Sequence, residues 1–150
     1  MKHKLLESYP VVYSTDVRWG HMDAWMHVNN TQYFGYLESA RVKYFEAMGN
    51  FKDMHQAESG PMVAELNCKF RFGLTYPDQI QVGVRVKSVY KYGFYHEYCI
   101  VSESRNAVAA FGSCRLTHLN YRTGQIIPVD TEIMEMLQRV EGKQFQILDQ

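Results

Sequence analysis

Between His21 and Asn30 the run HMDAWMHVNN holds two histidines, one aspartate and two asparagines, interleaved with Met22, Trp25 and Met26 and preceded by Trp19. A carboxylate is ordinarily placed where water reaches it. In so apolar a loop, Asp23 is either exposed or at work. If at work, it can act as a general base or a nucleophile. His21, Asp23 and His27 could instead serve as metal ligands. Asn29 or Asn30 suits a helix cap, because a side-chain oxygen there can accept an orphan backbone N–H.

The flanking elements must position that loop. Pro10 to Arg18 is β-branched and aromatic, which predicts a first strand running into it. From Thr31 to Met48 the apolar residues Tyr33, Leu37, Ala40, Tyr44 and Met48 recur at helical spacing. Tyr36, Phe34 and Phe45 widen that face, Gly35 and Ser39 lie opposite it, and Gly49 ends the helix. The period then falls to two: Met62, Ala64, Leu66, Cys68, Phe70 and Phe72 alternate with Val63, Glu65, Asn67, Lys69 and Arg71. A second such run covers Ile80 to Lys87, and KYG, SRN and RTGQ mark later turns. Closely linked turns predict an antiparallel meander. Asp130 is positioned to cap a short closing helix near TEIMEMLQRV. A single wide-faced helix with such a sheet predicts one two-layer α+β domain over residues 1–150, its curved sheet wrapped around the helix. Open sheet edges predict pairing between copies, as a dimer or a tetramer of two dimers.

Lys+Arg and Asp+Glu both number 16, so net charge gives no support for nucleic acid or an anionic membrane as partner. Cys68, Cys99 and Cys114 all fall in apolar runs and read as buried thiols of a reducing compartment. The first ten residues lack the apolar core of a signal peptide, and no run has the length of a membrane span. A cytoplasmic protein is expected.

The motif W-G-H-M-D-x3-H-V-N-N-x2-Y followed by L-E-x-A-R resembles the hotdog-fold acyl-CoA thioesterases of the 4-hydroxybenzoyl-CoA thioesterase type, nearest the bacterial long-chain acyl-CoA branch. The resemblance spans nearly the whole chain and includes the FRFGLTYPD turn. It implies that Asp23 is the active-site carboxylate and that the backbone N–H of Asn30 faces the thioester carbonyl. It implies no cofactor and no metal, with coenzyme A entering as part of the substrate and each active site lying between protomers. Plant acyl-carrier-protein thioesterases share a similar stretch and match His27, but carry an asparagine where this chain has Trp25.

The residues fit that chemistry. A thioester needs a base or nucleophile on one side of its carbonyl and a donor for the oxyanion on the other. A helix N-terminus supplies bare N–H groups and a positive dipole end. Apolar neighbours such as Trp19 and Trp25 would keep Asp23 poorly hydrated. His27 either orients water or pins the loop. Glu38 and Arg41, at i and i+3, are expected to pair on the helix, with Glu38 as the reserve carboxylate. Tyr33, Phe34, Leu37 and Met62 are candidates to close an acyl tunnel. Lys91, Tyr92 and Gly93 form a turn that could meet the nucleotide end of coenzyme A. Cys68 or Cys114 as a nucleophile with His27 is disfavoured by their regular strand pattern. Two other functions compete: a hotdog enoyl-CoA hydratase, whose acid and histidine stand five apart with Asn-Pro between, and a non-catalytic acyl-CoA sensor. Here the spacing is four, and no DNA-binding segment is expected before Tyr9.

Overall fold

The computed structural model of the chain describes residues 1–49 and 56–149. Strand β1 covers Val11–Asp16 and helix α1 Asn30–Met48, followed by strands β2 (Ser59–Phe70), β3 (Gln79–Tyr90), β4 (Gly93–Ser102) and β5 (Ala107–Asn120). Helix α2 (Thr131–Glu141) and a short strand β6 (Ile147–Leu148) close the chain. This is the hotdog fold of the α+β class, a six-stranded sheet with one long helix against it.

Helix α1 begins where the asparagines predict. Asn29 is the cap, its side-chain oxygen accepting from the Thr31 N–H at 3.0 Å. Gly49, at φ 94°, ends the helix in the left-handed region, which glycine tolerates without a Cβ penalty. The buried positions Tyr33, Tyr36, Leu37, Ala40, Arg41, Tyr44, Phe45 and Met48 repeat every three or four residues. They therefore form one stripe against the sheet.

Sheet order is β1-β3-β4-β5-β2, with β6 beside β3. The meander expectation holds for β3, β4 and β5 but not for β2, which pairs with the far edge of β5. The LTYPD turn is a crossing rather than a hairpin. β3 already takes β1 on its free edge, and Leu74 in the crossing is bonded to Val28 and Tyr33 of the loop and helix.

β2 departs from strict alternation. A bulge at Ala64 shifts the register, so that Val63 stands opposite Leu116 and, after the bulge, Leu66 stands opposite Cys114. Val63, rather than Met62 or Ala64, therefore shares the helix-facing side with Leu66, Cys68 and Phe70. On that side β3 and β4 are sealed by α1, with Ile80, Val82 and Ile100 wholly buried. β2 is not sealed: Val63 is 40% and Phe70 47% exposed.

The outer face of the sheet carries a second small core. A 3-10 turn at Lys4–Leu6 brings Leu6 and Tyr9 onto Cys99 and Val101. Gly83 permits the approach, since a Cβ there would stand 2.7 Å from the Tyr9 ring. At the other end of the chain, Asp130 caps α2 through the Ile133 N–H. Glu141 then accepts from the Tyr44 hydroxyl at 2.6 Å and from the Val86 N–H, tying α2 to helix and sheet.

Candidate active site

The loop that carries Asp23 is a small hairpin. Met22 and Val28 form an antiparallel bridge, the Asp23 N–H donates to the His27 carbonyl at 2.8 Å, and Met26 turns at φ 63°. The Met26 N–H closes the turn on the Asp23 carbonyl, while the Trp25 N–H donates to the Asp23 carboxylate at 2.9 Å. The carboxylate is thus half-buried and oriented by the backbone of its own turn. The hairpin is fastened on both sides. Val28 N–H donates to Leu74 carbonyl, and Asn29 N–H to His21 carbonyl.

One arm of this loop leads directly into α1. The Thr31 and Gln32 N–H groups are taken by the Asn29 side chain and carbonyl. The Asn30 N–H, exposed at the helix start, has no acceptor among the described residues. It is one of the orphan donors a helix N-terminus leaves, at its positive end.

His27 is exposed, with its ring laid over Gly73; a Cβ at residue 73 would stand 2.6 Å from its Cδ2. Only glycine leaves that space. The two tryptophans expected to shelter Asp23 are themselves exposed. Trp19 is 61% and Trp25 79% exposed, because Trp19 packs edge-on against Tyr76 and Trp25 follows the turn outward. His21 turns away to the Tyr36 hydroxyl at 3.3 Å, and no group of three or more His, Cys, Asp or Glu among the described residues is arranged to hold a metal. The His21, Asp23 and His27 ligand set is therefore not assembled.

Tyr33 is buried beneath this loop, edge-on to Phe70 at 4.8 Å, and its hydroxyl accepts from the Leu74 N–H. Lys91 and Tyr92 form the β3–β4 turn, with the Lys91 ammonium 5.3 Å from the Tyr92 ring centre. Gly93 is not part of that turn: it is the buried first residue of β4, where a Cβ would overlap the Leu116 carbonyl. This turn and Asp23 lie at opposite ends of the sheet. The Tyr92 carbonyl accepts from His118 at the β5 end, whose β2 partner is Pro61.

The Glu38–Arg41 pair does not form. Glu38 is exposed, whereas Arg41 falls on the buried stripe, and the ion pair seen among the described residues is Arg85–Glu97 at 3.2 Å. Arg41 instead donates to the Tyr98 hydroxyl at 3.4 Å. His96 is fully buried with its Nδ1 3.2 Å from the same hydroxyl. Burial first, and the Arg41 charge second, push its pKa down to about 3, so the ring is neutral. Burial pushes the Cys68 thiol up to about 11, and Cys114 is buried beside Tyr98; neither is an activated nucleophile. The sequence reading missed the Arg41–Tyr98–His96 cluster. Its one signal was a charged residue at a stripe position.

Far from Asp23, a cavity of about 190 Å³ opens between the last turn of α1, α2 and the sheet. Phe45, Met48, Phe94, Leu116, Ile133 and Met136 supply its apolar wall, and Gly60 and Pro61 of β2 its edge.

Residues 17–137 match the family described as the thioesterase-like superfamily. The long-chain acyl-CoA thioesterase FadM of Escherichia coli (strain K12) is 23% identical over 124 residues, covering 83% of this chain and 94% of that protein. A thioesterase from Thermus thermophilus, solved in complex with coenzyme A and Zn, superposes with a TM-score of 0.80 at 26% identity, covering 91% of this chain and 98% of that one. The PA2801 protein of Pseudomonas aeruginosa gives a TM-score of 0.75 at 28% identity, covering 83% and 95% respectively.

Proposed function

The chain belongs to the thioesterase-like superfamily and is a thioesterase by family, and on that premise we propose that it hydrolyses acyl-CoA thioesters to the free acid and coenzyme A. The observation that carries the proposal is the pairing of a half-buried, backbone-oriented carboxylate, Asp23, with a helix start whose Asn30 N–H is free to receive an oxyanion. A relative named for long-chain acyl-CoA and a structural neighbour holding coenzyme A support the choice of thioester.

In this reading the thioester carbonyl oxygen lies on the Asn30 N–H and its carbon faces Asp23. Asp23 then either attacks that carbon, giving an anhydride that water opens, or takes a proton from an attacking water. Either way, negative charge develops on the carbonyl oxygen. A donor fixed by the helix and aided by its dipole stabilises it without reorganising. Collapse expels the coenzyme A thiolate. His27, held over Gly73, is suited to orient the water. Lys91, with Tyr92, is suited to the phosphates of a coenzyme A shared with a second copy.

The same proposal includes a homodimer, or a tetramer of dimers, formed through the open β2 edge, with a cytoplasmic role in fatty-acid metabolism. No described helix is long and apolar enough to cross a membrane. The reaction requires no metal, so a chelator should leave the rate unchanged; loss of activity restored by zinc would overturn that part. The test of the whole is release of free thiol across short, medium, long and aromatic acyl-CoAs. A panel with no turnover above the spontaneous rate would refute the thioesterase reading.

A further inference from the structure

The buried stripe of α1 is interrupted by one charge. Arg41 lies midway along it and is only 8% exposed. A guanidinium stays protonated in proteins, and a buried charge needs an opposite charge close by. Among the described residues Arg41 has none. Its contacts are the Tyr98 hydroxyl, at a long 3.4 Å, and the neighbouring thiol of Cys114, both neutral. Beside them, the fully buried His96 has no partner for Nε2. The cluster is polar, built into the core, and one anion short.

Its position suggests the source of that anion. Cys114 stands opposite Leu66 of β2, the strand whose inner face α1 leaves partly open. The inner face of β2 runs from Phe70, edge-on to Tyr33 under the Asp23 loop, to Gly60 and Pro61 at the cavity edge, and its Val63 and Phe70 are exposed. Arg41 lies between those ends. It follows Asn30 by eleven residues, about 16 Å along the helix axis. Helical side chains lean towards the N-terminus, so the guanidinium reaches back and shortens that span.

We infer that Arg41 is a specificity residue that receives a carboxylate at the far end of the acyl group, so that the preferred substrates are mono-coenzyme A thioesters of dicarboxylic acids. The inference rests on the thioesterase reading and adds the substrate class. A carboxylate matches the planar guanidinium fork and neutralises it. A phenol, uncharged at neutral pH, would leave the charge uncompensated. A plain alkyl end would bury it against hydrocarbon.

The test compares kcat/KM for suberoyl-CoA and octanoyl-CoA, which have equal carbon counts, in the wild type, Arg41→Met and Tyr98→Phe. The wild type should favour suberoyl-CoA by about 10-fold or more, the scale of leaving one buried charge unpaired. In Arg41→Met that ratio should fall to one or below. Tyr98→Phe, which keeps the charge, should retain a preference for suberoyl-CoA. A wild-type ratio near one, or a preference that survives Arg41→Met, overturns the inference while leaving the thioesterase reading standing. So does a larger ratio for 4-hydroxybenzoyl-CoA over benzoyl-CoA, which would make the ligand a phenol. Should Arg41→Met fail to fold by circular dichroism, the wild-type ratio still decides. If no acyl-CoA releases thiol, both readings fall together.

Discussion

At its N-terminal end α1 offers the uncapped Asn30 N–H, a half-buried Asp23 carboxylate and the exposed side chains of Trp25 and Met26. At its C-terminal end Arg139 donates to the Met48 carbonyl at 2.7 Å, and the last turn walls a cavity with Phe45, Met48 and Met136. One end has a carboxylate and a bare N–H donor beside exposed tryptophans, and the other has an apolar cavity. Nineteen residues of helix hold them roughly 28 Å apart. The separation teaches that, among the described residues, the Asp23 loop and the apolar cavity belong to opposite ends of the helix. β2 supplies a way to close the gap. Its outer edge is unpaired among the described residues, and antiparallel pairing with the same edge of a second copy would bring the Asp23 end of one chain to the cavity end of the other.

The largest effect is expected at the chemical end. Asp23→Asn keeps shape and the Trp25 N–H contact but removes the charge, and should cost about 10² to 10⁴ in kcat. Circular dichroism and coenzyme A binding should remain near wild type. If Asp23→Asn keeps more than about a tenth of the rate, against the at least 10² a base contributes, Asp23 is not the catalyst and Glu38 is the next carboxylate to test. The bridge between the ends is probed by Val63→Lys, which sets a charge on the open inner face of β2. It should yield monomers in light scattering and lower turnover by about 10-fold or more, as a displaced catalytic group does. A monomeric wild type at micromolar concentration would remove the proposed bridge altogether.

The C-terminal half of α1 answers to acid. His96 sits under Tyr44 and Phe45, with ring centres 4.5 and 6.0 Å away. Its pKa of about 3 lies below the unfolded value of 6.5. The unfolded chain therefore binds the proton first. The His96 contribution is complete above pH 6.5 and is lost as pH falls towards 3. As pH falls from 6.5 to 5, mostly above the carboxylate range, the stability lost in denaturant unfolding should steepen from about half of 1.4 kcal/mol per pH unit towards about 1.4 from this residue. His96→Leu should flatten that slope whatever it does to absolute stability. An unchanged slope would mean that the ring gains a proton in the folded state.

What the sequence made legible divides along the same line. α1, its Asn29 and Gly49 ends, the α2 cap and the β3–β4–β5 hairpins follow from local periodicity and capping chemistry, which act over a few residues. The features that were not legible depend on distant partners. The bulge at Ala64 has no local marker, so simple alternation put Met62 on the wrong face of β2. The docking of Leu6 and Tyr9 on the outer sheet depends on Gly83, far along the chain. Glu38 and Arg41 have ideal spacing for a pair. The spacing could not reveal that Arg41 belongs to the buried stripe and meets Tyr98. Asp23 is proposed on residue types in a short motif. The exposure of Trp19 and Trp25 beside it is a tertiary fact that the motif does not reveal.

The smallest predicted effect separates the two adjacent asparagines at the N-terminal end. Asn29 caps α1 with its side chain, accepting from both the Thr31 N–H and the Thr31 hydroxyl at 3.0 Å. Asn29→Ala should therefore cost about 1 kcal/mol of stability. It should also lower turnover modestly, because a frayed first turn no longer holds the Asn30 N–H in place. The Asn30 side chain is exposed, and the proposed role of this residue belongs to its backbone. Asn30→Ala keeps that N–H and should leave both stability and kcat within a factor of about two, as surface substitutions usually do. Denaturant midpoints and thiol-release rates on the two variants make the comparison. If Asn30→Ala lost activity while Asn29→Ala kept it, the oxyanion donor would be a side chain and not the helix end.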